Sequence, residues 1–349
     1  MKYEKTLRKL SKQNKLTDKM IIEFFKKHES LDVVVVAKYI GQCNGFEITT
    51  DIGVAFLPDF PVTRYNKKQF RITGNQERIH DFSCPFPLNL GMGNVVNQQY
   101  EVSKLKGTSE YKKEIDSWVL SVFSPEIAIT YFNKFILNSR ALGQYKTIIF
   151  ESIEAFYLGM DHIAIMSLLP VFEGGLRNIQ VMMLNKNHDT VSAKNFEKGL
   201  RDILLLWGRK QLERYIWYPG CNGLTTVEID FFTHMNPQCD VINSFRIFFR
   251  DTLYVPSKGS TQGFNRHLIV HLLQNDFNEP ANFVRLFLAL THLTFIESLT
   301  NQTIPFMWPG VDEEDRKLAE YIKVVSKQFG DPRCKLLNQL GISEYDLAV

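Results

Sequence analysis

From Tyr111 to Thr300, apolar and polar residues alternate at three-to-four spacing almost without a break, and this periodicity constrains the fold more than any other feature. It predicts helices at about 111 to 123, 125 to 140, 145 to 158, 161 to 184, 192 to 217, 239 to 254, 264 to 276 and 281 to 300. Ser124 before Pro125 reads as an N-cap followed by proline at the first helical position, where a missing N–H costs nothing. The segment 311 to 329, VDEEDRKLAEYIKVVSKQF, opens acidic and closes basic, as a helix dipole favours, and predicts a last amphipathic helix. There is no repeat of fixed period and no low-complexity tract.

The chain ahead of Tyr111 has a different character. Leu7, Leu10, Met20, Ile21, Phe24 and Phe25 recur at near-helical spacing between lysines, while the run Val33 to Val36 and the segment FEITTDIGVAFLP suit short strands. From Pro58 to Gly107 prolines, glycines and asparagines crowd together, which marks an irregular segment or a small mixed subdomain and a boundary near Gly107. The expected organisation is an N-terminal recognition or regulatory region over 1–110, a helical domain over 111–310 and a C-terminal helical tail over 311–349. The fold class is mainly α with an N-terminal mixed α/β elaboration. With 349 residues, 44% of them apolar, the chain has material for a large core.

Several function classes are excluded at this level. A net charge of +3 does not amount to a nucleic-acid coat, although residues 1 to 29 hold nine Lys or Arg against four Asp or Glu. Five scattered cysteines without a CxxC pair argue against a disulfide framework and for a reducing compartment. The N-terminus lacks the apolar core of a secretory signal, and LFLALTHLTFIESL is interrupted by Thr291, His292, Thr294 and Glu297, so a cytoplasmic protein without a membrane partner is expected. No GxxxxGK[ST], GxSxG or HExxH occurs, and GMGN at Gly91 to Asn94 lacks a third glycine. Cys221, His234 and Cys239 match no zinc spacing, so neither a metal nor a cofactor is expected.

The segment KGSTQGFNRHLIVHLL concentrates the chemistry. Pro256, Gly259, Ser260 and Gly263 form a lead-in, after which Phe264, Leu268 and Leu272 set a helix. His267 and His271 are four apart and share a face, while Asn265 and Arg266 lie at the N-terminal end, where backbone amides and the dipole favour an anion. Cleavage of RNA through its own 2′-hydroxyl needs a base for that hydroxyl, an acid for the leaving 5′-oxygen and positive charge on the phosphate. Histidine exchanges protons near neutral pH and arginine holds phosphate oxygens in a fork. Ordinary helix residues, with His271 as a satisfied core histidine, are the competing reading of the same spacing. The stretch TRYNKKQFRITGNQER interleaves Arg64, Lys67, Lys68 and Arg71 with Tyr65 and Phe70, which suits phosphate contact and base stacking or, equally, a polar surface loop. Lys258 in the lead-in is a further candidate phosphate contact.

RHLIVH resembles the Arg-x4-6-His motif of the HEPN superfamily of helical ribonucleases, and the fuller NRHLIVH is similar to the NRHxxxH of defence-associated bacterial members. The upstream helix IAIMSLLPVFEGGLRNI also resembles the polar-patch helix that precedes the motif in such proteins, over a likeness spanning about residues 111 to 300. The resemblance implies a HEPN-type helical bundle with Arg266 and His271 as catalytic residues and Asn265 and His267 in support. Glu173 and Arg177, four apart, either orient Arg266 or contact RNA, or else form a simple intrahelical ion pair. Leu272 departs from the pattern, since many relatives have glycine there.

Residues five apart on a helix differ by about 140° in direction, so Arg266 and His271 do not converge on their own. The resemblance implies a homodimer in which each cleft collects groups from both copies. It implies metal-independent cleavage leaving a 2′,3′-cyclic phosphate and a 5′-hydroxyl, in a toxin-like effector of antiviral defence with an antitoxin or sensor protein as a further partner. The alternative is a non-catalytic HEPN-like module that binds RNA or protein.

Overall fold

The computed structural model of the protein describes residues 2–61, 71–78, 80–185, 192–255, 264–271 and 277–342. The chain divides into two compact units, one made of Met1–Arg78 and Lys198–Arg246, the other of Ile79–Glu197 and Ile247–Val349. This division does not follow the break read near Gly107. Helices Met92–Ser103 and Tyr111–Ser121, on either side of that glycine, belong to one unit and are joined by the Trp118 indole donating to Gln98 Oε1 at 3.1 Å.

The first unit opens with helices Glu4–Leu10 and Asp18–Glu29, the second capped by the Thr17 hydroxyl, which accepts from the Met20 amide at 3.3 Å. Strands β1 (Val34–Ile40), β2 (Cys43–Thr50) and β3 (Gly53–Pro58) form an antiparallel meander. Gly41 turns the first hairpin at φ +59, and a Cβ there would strike the Met235 carbonyl, so only glycine fits. The core beneath holds Tyr3, Leu7, Leu10, Ile21, Phe25, Ile48, Leu57 and Trp217. Met20, read from its spacing as part of the apolar stripe, is 43% exposed.

The helix expected at 192 to 217 ends at Lys210, and Tyr215–Trp217 instead forms β4, which pairs in parallel with β3. The aromatic and β-branched YIW segment gains a strand partner that lies far away in sequence, and this overrides local periodicity. Two further helices extend the unit, Thr225–Met235, which periodicity missed, and Pro237–Phe248, whose last residues belong to the second unit.

The second unit is helical. Its longest helix, Asp161–Leu184, has the bounds expected from sequence and ends where Asn185 adopts the left-handed conformation at φ 49. It packs against helices Lys146–Tyr157 and Pro280–Ser298. Gly174 and Gly175 make that approach possible, because a Cβ on Gly175 would lie 2.4 Å from Leu142 Cδ2 and 3.0 Å from Leu293 Cδ1. The buried Glu297 closes the other end of Pro280–Ser298 by accepting from Ser139 Oγ at 2.5 Å, the amides of Arg140 at 2.8 Å and Ala141 at 3.2 Å, and Asn301 Nδ2 at 2.8 Å.

The expected tail is part of the same unit. Helix Glu313–Val325 begins with a reciprocal capping box between Asp312 and Asp315, and the buried Asp315 accepts from Thr130 at 2.9 Å. A π-helical turn, Ser326–Gly330, and a further helix, Asp331–Gln339, follow. The architecture is therefore mainly α with one four-stranded sheet. Among the described residues no helix is long and apolar enough to cross a membrane, and none of the five cysteines is in a disulfide.

Candidate functional site

Glu173 sits at the centre of a polar cluster in the second unit. It projects from the middle of helix Asp161–Leu184, beside the two glycines that bring that helix close to its neighbours. The Arg266 guanidinium donates from Nε to Glu173 Oε1 at 2.5 Å and from Nη2 to Oε2 at 3.3 Å. The Tyr254 phenol donates to the same Oε1 at 2.6 Å. Both Glu173 and Arg266 are largely shielded, at 13% and 23% side-chain exposure, which strengthens a charge-assisted pair relative to an exposed one. The carboxylate raises the Arg266 pKa, and burial together with the Glu173 charge drives the Tyr254 phenol far above its usual range. The phenol is therefore a permanent donor.

Arg266 begins the short helix Arg266–Val270. Of the five guanidinium N–H groups, the pair with Glu173 occupies one on Nε and one on Nη2, and among the described residues no hydrogen bond engages Nη1. His267 and His271, both exposed, stand edge-on with ring centroids 4.7 Å apart, and the His271 amide donates to the His267 carbonyl at 3.3 Å. The sequence expectation that these two imidazoles share a face matches this geometry.

Asn265 behaves otherwise. Its side chain is fully buried, with Oδ1 accepting from the His267 amide at 2.9 Å and Nδ2 donating to the Val255 carbonyl at 2.5 Å. It caps the start of the helix and anchors it to the segment after Tyr254, so its contribution is to hold the backbone rather than to meet substrate. The described helix is also shorter than the expected 264 to 276, with residues 272–276, including Leu272, outside the described residues.

The two readings of the Glu173 and Arg177 spacing are distinguished by geometry: the carboxylate reaches Arg266, and no bond joins it to Arg177. Arg177 is half-buried one turn further along the same helix, without an ion-pair partner among the described residues. Of the basic candidates, Arg64, Lys67, Lys68 and Lys258 lie outside the described residues. Arg71, a candidate for RNA contact from sequence, belongs to the first unit. Its side chain is only 10% exposed, donates from Nη1 to Thr233 Oγ1 at 3.0 Å and faces Asp230 at 3.8 Å, so its charge is engaged inside the unit.

Sequence reasoning missed Tyr254. It follows the π-helical turn Phe249–Leu253, its ring stacks on Phe249 at 4.2 Å and 24°, and Phe196 meets it edge-on at 6.2 Å. No local pattern in FRIFFRDTLY marks it, because its partner Glu173 is eighty-one residues away. Among the described residues no three His, Cys, Asp or Glu side chains form a metal-binding group. Compared with protein-family models, with curated proteins and with solved structures, the chain matches none.

Proposed function

We propose that the protein is a HEPN-type endoribonuclease that cleaves RNA without a metal ion. The observation that carries this reading is the placement of Arg266, held along one edge by Glu173 with Nη1 unengaged among the described residues, at the head of a short helix that carries His267 and is followed by His271. In the proposed step an imidazole takes the proton of the RNA 2′-hydroxyl and the 2′-oxygen attacks phosphorus. The bond from phosphorus to the 5′-oxygen breaks, and a protonated imidazole gives its proton to that oxygen. The Nη1 end of Arg266 holds the nonbridging oxygens as negative charge gathers on them. The products are a 2′,3′-cyclic phosphate and a 5′-hydroxyl, and no water or redox partner enters the balance.

His271 is the principal proton carrier, with a homodimer bringing Arg266 and His271 of two copies to each cleft. A cytoplasmic, toxin-like effector of anti-phage defence, restrained by an antitoxin or sensor protein, is the role such an activity fits. The test is cleavage of RNA in chelator by the wild type, Arg266→Ala and His271→Ala, with a fall of about 100-fold or more expected in each variant. Activity surviving in both variants removes this site from the reaction. Light scattering of the purified protein reads the dimer.

The Glu173 ion pair favours one other reading, since a neutralised Arg266 also suits a module that binds RNA or protein without cutting. Binding that is lost in Arg266→Ala, with no cleavage by the wild type, selects it.

A further inference from the structure

We propose that Tyr254 is a positioning residue for Arg266, its phenol fixing the Glu173 carboxylate so that the guanidinium turns its Nη1 end, rather than the edge that meets Glu173, towards a phosphate. The inference rests on the nuclease reading for its functional consequence and on geometry for its physical content. Glu173 Oε1 accepts two donors at once, the Tyr254 hydroxyl at 2.6 Å and the Arg266 Nε–H at 2.5 Å. A glutamate carboxylate turns easily about its last torsion, and a single arginine partner follows it as it turns. A second donor on the same oxygen, from a ring packed against Phe249 and Phe196, restricts that freedom.

The ring is well fixed. Phe249 covers one face at 4.2 Å, Phe196 abuts it edge-on, and the π-helical turn ahead of it sets where the chain leaves the preceding helix. The neighbouring Val255 carbonyl receives the Asn265 side chain at 2.5 Å. Two consecutive residues thus locate both the acceptor of Arg266 and the residue just before Arg266. Tyrosine, rather than phenylalanine, is what this position requires, because only the hydroxyl reaches the carboxylate. The shielded phenol holds its proton and donates throughout the pH range of the proposed reaction.

The experiment uses the full chain with Tyr254→Phe, Glu173→Gln and the double variant, their folding checked by urea unfolding. The Arg266 side-chain Nε–H signal is identified by its loss in Arg266→Ala, and its solvent exchange is read by NMR. Exchange about tenfold faster in Tyr254→Phe is expected, as for loss of a charge-assisted hydrogen bond. On an RNA substrate, kcat falls about tenfold with KM changed less than twofold. The effect shrinks in the Glu173→Gln background, because the hydroxyl acts through that carboxylate. Unchanged Nε–H exchange in Tyr254→Phe, or full additivity with Glu173→Gln, overturns the proposal. Should Tyr254→Phe not fold, Glu173→Gln alone decides it, since exchange as slow as in the wild type would show that Glu173 does not hold Arg266. A wild type inert towards RNA, or equal to His271→Ala, refutes the nuclease reading, while Nε–H exchange still decides the link between Tyr254, Glu173 and Arg266.

Discussion

The Arg266 guanidinium lies along the Glu173 carboxylate through two hydrogen bonds, at 2.5 Å and 3.3 Å, ninety-three residues apart in sequence. The pair is asymmetric in what its loss would leave behind. Without Glu173, a shielded guanidinium and a half-buried phenol both lose their acceptor. Without Arg266, the carboxylate still receives the Tyr254 hydroxyl. Glu173→Ala is therefore expected to cost about 2 kcal/mol of unfolding free energy and Arg266→Ala about half as much. Urea unfolding of the two variants at one pH measures the difference, and equal costs would refute the asymmetry.

The pH dependence of stability carries the mark of His292. It is buried in helix Pro280–Ser298, where burial lowers its pKa from 6.5 to about 4. Between those values the unfolded chain binds a proton that the folded protein does not, so this residue makes stability rise with pH across the window, by at most about 3 kcal/mol. Asp161 acts in the opposite sense. Burial raises its carboxyl from 3.8 to about 7, so its contribution falls as pH rises between those values. The two oppose each other in the wild type and separate in a variant. In His292→Gln, the stability difference from the wild type should change by about 2 kcal/mol between pH 6.5 and pH 5. A difference independent of pH would mean that His292 is not held neutral by the fold.

The glycine pair next to Glu173 makes a packing prediction. Alanine at Gly175 would push against Leu142 and Leu293 in the core, whereas alanine at Gly174 would meet the hydroxyl end of Tyr145, 2.5 Å away, which can swing aside. Gly175→Ala is expected to lose about 2 kcal/mol and Gly174→Ala to stay within about 1 kcal/mol of the wild type. Thermal or urea unfolding distinguishes them, and a Gly174→Ala loss as large as that of Gly175→Ala would mean Tyr145 does not yield.

How far sequence reaches is shown by particular elements. Helix Asp161–Leu184 was legible to the residue because an unbroken apolar periodicity ends at Asn185, which tolerates the left-handed conformation. Helix Thr225–Met235 was not, since TTVEIDFFTHM is rich in β-branched and aromatic residues and all of its last five side chains are buried, leaving no polar face to read. The overrun at Tyr215–Trp217 has a different cause, a strand partner fifty-four residues from the N-terminus that no local window contains. At the site, the residue types of NRHLIVH were readable but their directions were not. Asn265 turns inward as a cap, Arg266 turns to a helix far back in the chain, and Tyr254 enters from a segment with no motif at all. Side-chain direction here is decided by where distant acceptors lie, which spacing alone does not encode.

The parallel pairing of β3 with β4 has a consequence for the order in which the protein comes into being. During synthesis, Gly53–Pro58 leaves the ribosome long before Tyr215–Trp217, and all of Ile79–Glu197 emerges in between. The meander must wait, the edge of β3 uncovered, until the later segment arrives. A fragment ending at residue 110 would lack β4 and Trp217, and so the strand that covers the β3 edge and a share of the first unit's core.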